Sequence, residues 1–406
     1  MIQKYLWVCF ICHEFLFSNG NKMNVKLWAI VLALIVVLTS TGVYMSSNAA
    51  EDDKVVIASR TNEEGSGLFA KQDDLVQRDS TGKLLWDYDA DTPLYNKDKW
   101  IGLIFMHPGT STIQYMMLKD IVENDLGFEF VEPGAAHGEK YVYQVAIAPA
   151  QMKTVFRDSN PFAVDGGIVW ESYYSDIFED HALNAKCVFL TGERSPDHTC
   201  CVVVANRTFT NNNSEYLIRF LAAYAETVRL MNAAITDPTS DGYATLLQAA
   251  HEYTGVSEDV LRAAFTRVEY TYNMDGLVKD VAELVDGFSA MDGVLQYTVQ
   301  ELGFRDSADF GDWLVDDYYL GRSEHFKPED ATTDITLKVT VLTGDLHGIS
   351  LQFGLKLGIF EKYRINIEQS SVTNGPAAMD LLLSGTVNIG ILGAPPTVIK
   401  SINMFK

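Results

Sequence analysis

Residues 109–112 read Gly-Thr-Ser-Thr and run directly into an amphipathic stretch, TIQYMMLKDIVEND. Gly109 lets the backbone come close to a bound group, and Thr110, Ser111 and Thr112 offer hydroxyls beside the unpaired N–H groups of a helix start. That is the chemistry of a site for a carboxylate, sulfonate or nitrate oxygen. Serine and threonine are equally the ordinary N-caps of helices, so a purely structural role stays open. Trp170 and Glu171 close a strand-like run, GGIVW, where an aromatic wall and a carboxylate acceptor would suit an amine or a heterocycle. Trp170 also reads as a core residue. His347, in the loop TGDLHG, could donate to an anion or a ring nitrogen, or act as a structural hydrogen-bonder.

Cysteine carries less. His198, Cys200 and Cys201 are metal-ligand types, but adjacent residues of a strand face opposite sides, so no metal site is expected. Cys9, Cys12 and His13 have the C-x-x-C-H spacing of a c-type haem attachment. They precede an export segment in apolar surroundings that leave no room for a haem domain, and no cofactor is expected. Beyond them only Cys187, Cys200 and Cys201 remain, an odd number that implies no disulfide framework, although one bridge from Cys187 stays open.

The elements that must position these residues sit in a chain of 406 residues, long enough for one large two-lobed unit or two ordinary domains, with 47% hydrophobic content to fill a core of that size. Its net charge of −23 and lack of a basic stripe exclude electrostatic capture of nucleic acid. The same field repels a distant anion, so an anion site here must work through local dipoles and hydroxyls. Residues 27–44 (LWAIVLALIVVLTSTGVY) form an uncharged apolar stretch after Lys22 and Lys26. It reads as an export segment, either cleaved after Ala49 as a signal peptide or retained as a membrane anchor. Localisation is therefore expected outside the cytoplasm, secreted or membrane-anchored through the N-terminal segment.

From residue 54 onward short β-rich runs alternate with amphipathic ones, which implies an α/β fold with mainly parallel strands. Strands are expected at 54–59, 100–106, 128–131, 141–148, 166–170, 186–190 and 201–206, and again at 336–342, 365–369 and 387–392. Between 214 and 319 strands are expected to give way to helices, forming a helical cap region. Residues 321–334, polar and containing Pro328, read as a linker.

The C-terminal segment 336–402 resembles the beginning of the nitrate, sulfonate, taurine and thiamine-precursor binding proteins of ABC importers. The likeness is carried by a helix ending in Gly358-Ile359-Phe360, a Gly375-Pro376 helix start, a Leu383-Ser384-Gly385 turn and the sequence Gly393-Ala394-Pro395-Pro396. The remainder of the pattern lies earlier: strand 55–59 with Gly65-Ser66-Gly67, then Pro108-Gly109-Thr110-Ser111, Asp165-Gly166-Gly167 through Trp170-Glu171, and His198-Thr199-Cys200-Cys201. Each motif occurs once and in rotated order, as in a circular permutation. The rival reading is an incomplete first copy followed by a shortened second one.

The resemblance implies a two-lobed, type II periplasmic-binding-protein-like clamshell with a helical cap region, preceded by the N-terminal signal or anchor. Residues 1–50 would be the N-terminal extension, 51–75 part of lobe 1, and 76–199 lobe 2 with its hinge segments. Residues 200–320 would return to lobe 1, 321–334 link, and 335–406 supply the first part of lobe 1. Hinges are expected near 73–99 and 191–199. The implied function is substrate binding without catalysis for an ABC-transporter membrane permease, the ligand being a small polar solute of sulfonate, taurine, nitrate or thiamine-pyrimidine type. Ligand-binding residues would be Ser66, Gly109, Thr110, Ser111, Trp170, Glu171, Asp345, His347, Asn374, Gly375, Gly393, Ala394 and Pro395. Alternatives are a membrane-tethered sensor of the same fold and a thiamine-pyrimidine synthase-like enzyme, the latter weakened by export and by a cysteine motif reduced to Cys200-Cys201.

Overall fold

A computed structural model describes residues 54–135, 137–158 and 163–405. The C-x-x-C-H pattern, the apolar segment 27–44 and the expected signal or anchor helix lie outside these residues. Among the described residues no helix is long and apolar enough to cross a membrane.

In chain order the strands are β1 (Val55–Glu64), β2 (Ser66–Ala70), β3 (Trp86–Asp87), β4 (Thr92–Pro93), β5 (Ile104–His107), β6 (Glu129–Val131) and β7 (Tyr141–Ala146). There follow β8 (Gly166–Trp170), β9 (Lys186–Leu190), β10 (Thr199–Asn206), β11 (Val268–Tyr270), β12 (Ile335–Leu342), β13 (Ile365–Val372) and β14 (Ile389–Gly393). Two patterns of burial explain them. The runs Val55–Ala58 and Val202–Ala205 are buried throughout, as strands covered on both faces must be. At the start of β12, Ile335, Leu337 and Val339 are buried while Thr336 and Lys338 between them are exposed, the period of a strand with one wet face.

Twelve of these strands form two six-stranded sheets, one in each lobe of an α/β clamshell, and β3 and β4 form a separate pair. The first has the order β11-β1-β10-β14-β12-β13 and the second β6-β7-β5-β8-β2-β9. In the first, β12 runs parallel to β13 and β14, and β10 runs against both β14 and β1. In the second, β6, β7, β5 and β8 are parallel and β2 is reversed between β8 and β9. The C-terminal strands β12, β13 and β14 thus supply three of the six strands of the first sheet, with β14 seated between β10 and β12.

Helices cover the sheets. Ser214–Thr236 buries Leu217, Phe220, Leu221, Tyr224, Val228 and Met231, an i, i+3, i+4 stripe laid on the first sheet. Each such side chain contributes roughly 1.5–3 kcal/mol on burial. The helix Asp241–Thr254 stops at Gly255, whose φ of +76° suits the left-handed C-cap.

Three expectations are corrected. Residues 51–75 do not all belong to lobe 1, because β2 pairs with β8 and β9 in the second sheet. The chain crosses between lobes at Gly65, where a φ of +80° turns it sharply. The segment 73–99 is accordingly no hinge; it carries the β3–β4 pair and buries Leu75, Val76, Leu84 and Tyr95 in the core. The chain returns to the first sheet between β9 and β10, through the short helix Thr191–Arg194. Finally, strands do not disappear after residue 214: β11 pairs with Asn62–Glu64 at the sheet edge. Three residues are too few to leave a readable alternation. Within the expected linker, Pro328–Asp330 forms a 3-10 turn and the Thr333 carbonyl accepts a 2.7 Å hydrogen bond from buried Arg219.

Candidate functional site

Parallel strands of both sheets end on one cavity of about 300 Å³. β5 ends at His107, and the loop after it leads into the helix Ile113–Asp120, N-capped by the Thr112 hydroxyl, which accepts from the Tyr115 N–H. β8 ends at Trp170. From the other lobe, β12 runs into a turn capped by Asp345, and β13 into the helix Gly375–Leu383, capped by Asn374 through the Ala377 N–H at 2.9 Å. β14 ends at Gly393, where the helix Ala394–Asn403 begins. Because β10 is antiparallel, its first residues reach the same rim: Cys201 pairs with Gly393.

Of the expected residues, Ser111, Trp170, Asp345, His347, Asn374, Gly375, Gly393 and Pro395 line this cavity together. Gly375 has a further reason to be glycine, since a Cβ there would meet Pro396 Cγ at 2.3 Å. The others do not line it. Ser66 is 2% exposed and accepts a 2.8 Å bond from Gln114, so it holds a lining side chain without being one. Gly109 and Thr110 sit one step back in the loop, Gly109 donating its N–H to His107 Nδ1 at 3.1 Å. Ala394 is fully buried beneath the helix start.

Glu171 is the largest correction. Its side chain is entirely buried, its Oε2 accepts the Ser175 N–H at 3.1 Å, and Arg267 of the opposite lobe stands 3.7 Å away. Burial pushes the carboxyl above its ordinary range against those two partners. It is therefore not a carboxylate presented to a ligand, and its argument for a cationic or zwitterionic solute lapses.

The sequence missed Gln114 and, above all, Cys200 and Cys201, all of which line the cavity. The two cysteines do not face opposite sides. Asn62 pairs with Cys201 and Glu63 with Thr199, which leaves Cys200 as the extra residue of a β-bulge. A bulge re-aims side chains, and here the sulfurs come to 3.8 Å. His347 Nε2 lies 4.0 Å from the Cys200 sulfur, and its Nδ1 is 2.8 Å from Asp345 Oδ1. The hydrogen bond from Cys201 holds the Cys200 thiol well below its ordinary value, with burial opposing and His347 assisting. Cys201 is pushed well up by the same bond and by burial. His347 is raised by Asp345 and Cys200, which outweigh its burial.

A second cavity of about 360 Å³ is walled by Lys119, Glu123, Arg194, Asp120 and Asp280. Its cations are already committed: Arg194 to Asp120 at 2.5 Å and Lys119 to Glu123 at 2.6 Å. It also lacks the converging strand ends of the first cavity.

Two α/β lobes closing on a cavity at their strand ends define a clamshell. No protein-family model matches the chain, and no curated protein does. Among solved structures it is similar to the ligand-binding component of an ABC-type import system from Staphylococcus aureus with zinc bound, at 14% identity and a TM-score of 0.39, over 64% of this chain and 74% of that one. It is also similar to the alkanesulfonate-binding protein SsuA from Xanthomonas axonopodis pv. citri bound to MOPS, at 11% identity and a TM-score of 0.40, over 66% and 75% of the two chains. The nitrate-binding protein NrtA from Synechocystis gives 12% identity and a TM-score of 0.41, over 66% of each chain.

Proposed function

We propose that this chain is the extracytoplasmic substrate-binding component of an ABC importer, holding a small polar solute between its lobes without catalysis and presenting it to a membrane permease. The observation that carries this reading is the cavity of about 300 Å³ walled by strand ends from both sheets. Ligands of open α/β sheets bind beyond the carboxyl ends of the strands, where helix starts turn N–H groups outward. Crossings at Gly65 and at residues 191–199 allow the lobes to close about such a ligand.

The lining favours an anionic or neutral polar solute. Ser111, Gln114 and Asn374 are uncharged, and the Asp345 carboxylate is already paired with His347. Sulfonate, taurine, nitrate and pyrimidine ligands remain the classes to try. The place of β14 between β10 and β12 supports the circularly permuted order of a single binding protein, since the C-terminal strands complete the sheet.

A thermal-shift panel of taurine, alkanesulfonates, nitrate, bicarbonate and aminopyrimidines on the full chain tests the proposal. A ligand at about 100 times its Kd adds about 2.7 kcal/mol. Absence of any shift in protein that unfolds cooperatively would remove the solute-binding reading.

A further inference from the structure

Cys200, Cys201 and His347 place one soft or borderline donor atom each within 4.8 Å of the others, all three residues buried and all lining the cavity. Three features fit this group to a metal ion. The first is spacing. A tetrahedral Zn²⁺ with metal–sulfur bonds of about 2.3 Å sets its two thiolates about 3.8 Å apart. The Cys200 and Cys201 sulfurs are 3.8 Å apart. The imidazole Nε2 is 4.0 Å from the Cys200 sulfur and within 4.8 Å of the Cys201 sulfur, so it closes by about half an ångström on the first and by up to about 1.3 Å on the second to reach the tetrahedral S···N spacing of about 3.5 Å.

The second is orientation of the histidine. His347 Nδ1 is held 2.8 Å from the Asp345 carboxylate, which in turn accepts the His347 backbone N–H at 3.0 Å. In the neutral imidazole that pairing keeps the proton on Nδ1 and leaves Nε2 as the ligating atom, so metal binding would release the Nε2 proton, the carboxylate–histidine arrangement that outer-shell partners give to metal-bound imidazoles. Gly65 leaves room at that nitrogen, since a Cβ there would sit 3.0 Å from it.

The third is the surroundings. Three protein ligands leave a fourth position, which here opens on the cavity rather than on closed core. The Trp170 side chain lines the same cavity, and its indole N–H is buried with no hydrogen-bond partner. It is a ready donor to an anionic group in that cavity.

We propose that Cys200, Cys201 and His347, oriented by Asp345, bind a transition-metal ion of the Zn²⁺ class with one coordination position open to the solute cavity. The site uses the cavity of the proposed importer function but does not depend on what the solute is.

Co²⁺ is the probe. The full chain, reduced with a phosphine and stripped of metal, is titrated with Co²⁺ while the thiolate-to-cobalt charge-transfer band and the tetrahedral d–d bands are recorded. The double variant Cys200→Ser/Cys201→Ser is expected to bind one equivalent fewer than the parent and to lose the matching charge-transfer intensity. The comparison sets aside any metal taken by Cys9, Cys12 and His13, which both proteins retain. Asp345→Asn, which keeps every ligand, is expected to weaken the affinity about 10- to 100-fold while preserving the spectrum, and Zn²⁺ is expected to bleach it. Equal stoichiometry and spectra for parent and double variant, both shown folded by near-UV circular dichroism, overturn the metal site. A solute that shifts the metal-free parent would then leave the importer reading standing alone.

Discussion

Glu171 shows how far a residue's role depends on what its strand end turns toward. Its type and its place after β8 were legible, but its direction was not, and it points into protein rather than into the cavity. Ser111, Asn374 and Gly375 were legible because a strand leading into a helix start puts those positions at the rim whatever packs behind them. Cys200 and Cys201 were not, because a bulge is a property of the pairing with β1 and not of β10 alone. Burial of Glu171 has a measurable consequence. A carboxyl raised above its ordinary 4.5 holds its proton more tightly in the native state than in the unfolded one. Its stabilisation is thus complete below that value and is lost as pH rises through the folded value. Ser175, Arg267 and, at longer range, His347 moderate the shift without reversing it. Glu171→Gln keeps the acceptor for the Ser175 N–H and removes the titration. Urea unfolding of parent and variant from about pH 4 to about pH 8 should show the parent losing ground to the variant as pH rises. Parallel curves would mean that Glu171 binds its proton equally well in the folded and unfolded states.

The elements were read more securely than their boundaries. Every strand expected from apolar runs is present, whereas none is expected at β2, which only Gly65 separates from β1. Nothing in Gly65-Ser66-Gly67 announces that the chain changes sheet there, because the signal is a backbone angle and not an apolar pattern. The demand on that angle is testable. Alanine at residue 65 must adopt a φ of +80° and place its Cβ 2.9 Å from Val268 Cγ2 and 3.0 Å from His347 Nε2. Left-handed backbone costs about 1–2 kcal/mol, and overpacking typically costs a further 1–3 kcal/mol or so. Gly255→Ala, at a φ of +76° with nothing within 4 Å of the added carbon, meets only the backbone cost. Chemical denaturation should therefore rank Gly65→Ala as the more damaging change, and the reverse order would argue against a tight crossing at 65.

The two-sheet arrangement was legible as a class, and the part played by its C-terminal strands needed the structure. Deleting residues 334–406 removes β12, β13 and β14 and uncovers β10, whose Val202 and Val204 are fully buried. The first sheet should then fail to form, so the urea m-value should fall toward that of the second lobe alone. A truncated chain with an unchanged m-value would mark the segment as dispensable. The seat of β14 between β10 and β12 also bears on biosynthesis. The second sheet is built wholly from residues 66–190 and can close while translation continues, since domains fold as their residues emerge. The first sheet receives its middle strand only from residues 389–393, so β1 and β10 must wait with an open edge through the synthesis of nearly two hundred further residues. During that interval β10, the strand that carries both cavity cysteines, is a template for wrong pairing, and a nascent-chain chaperone would find its substrate there.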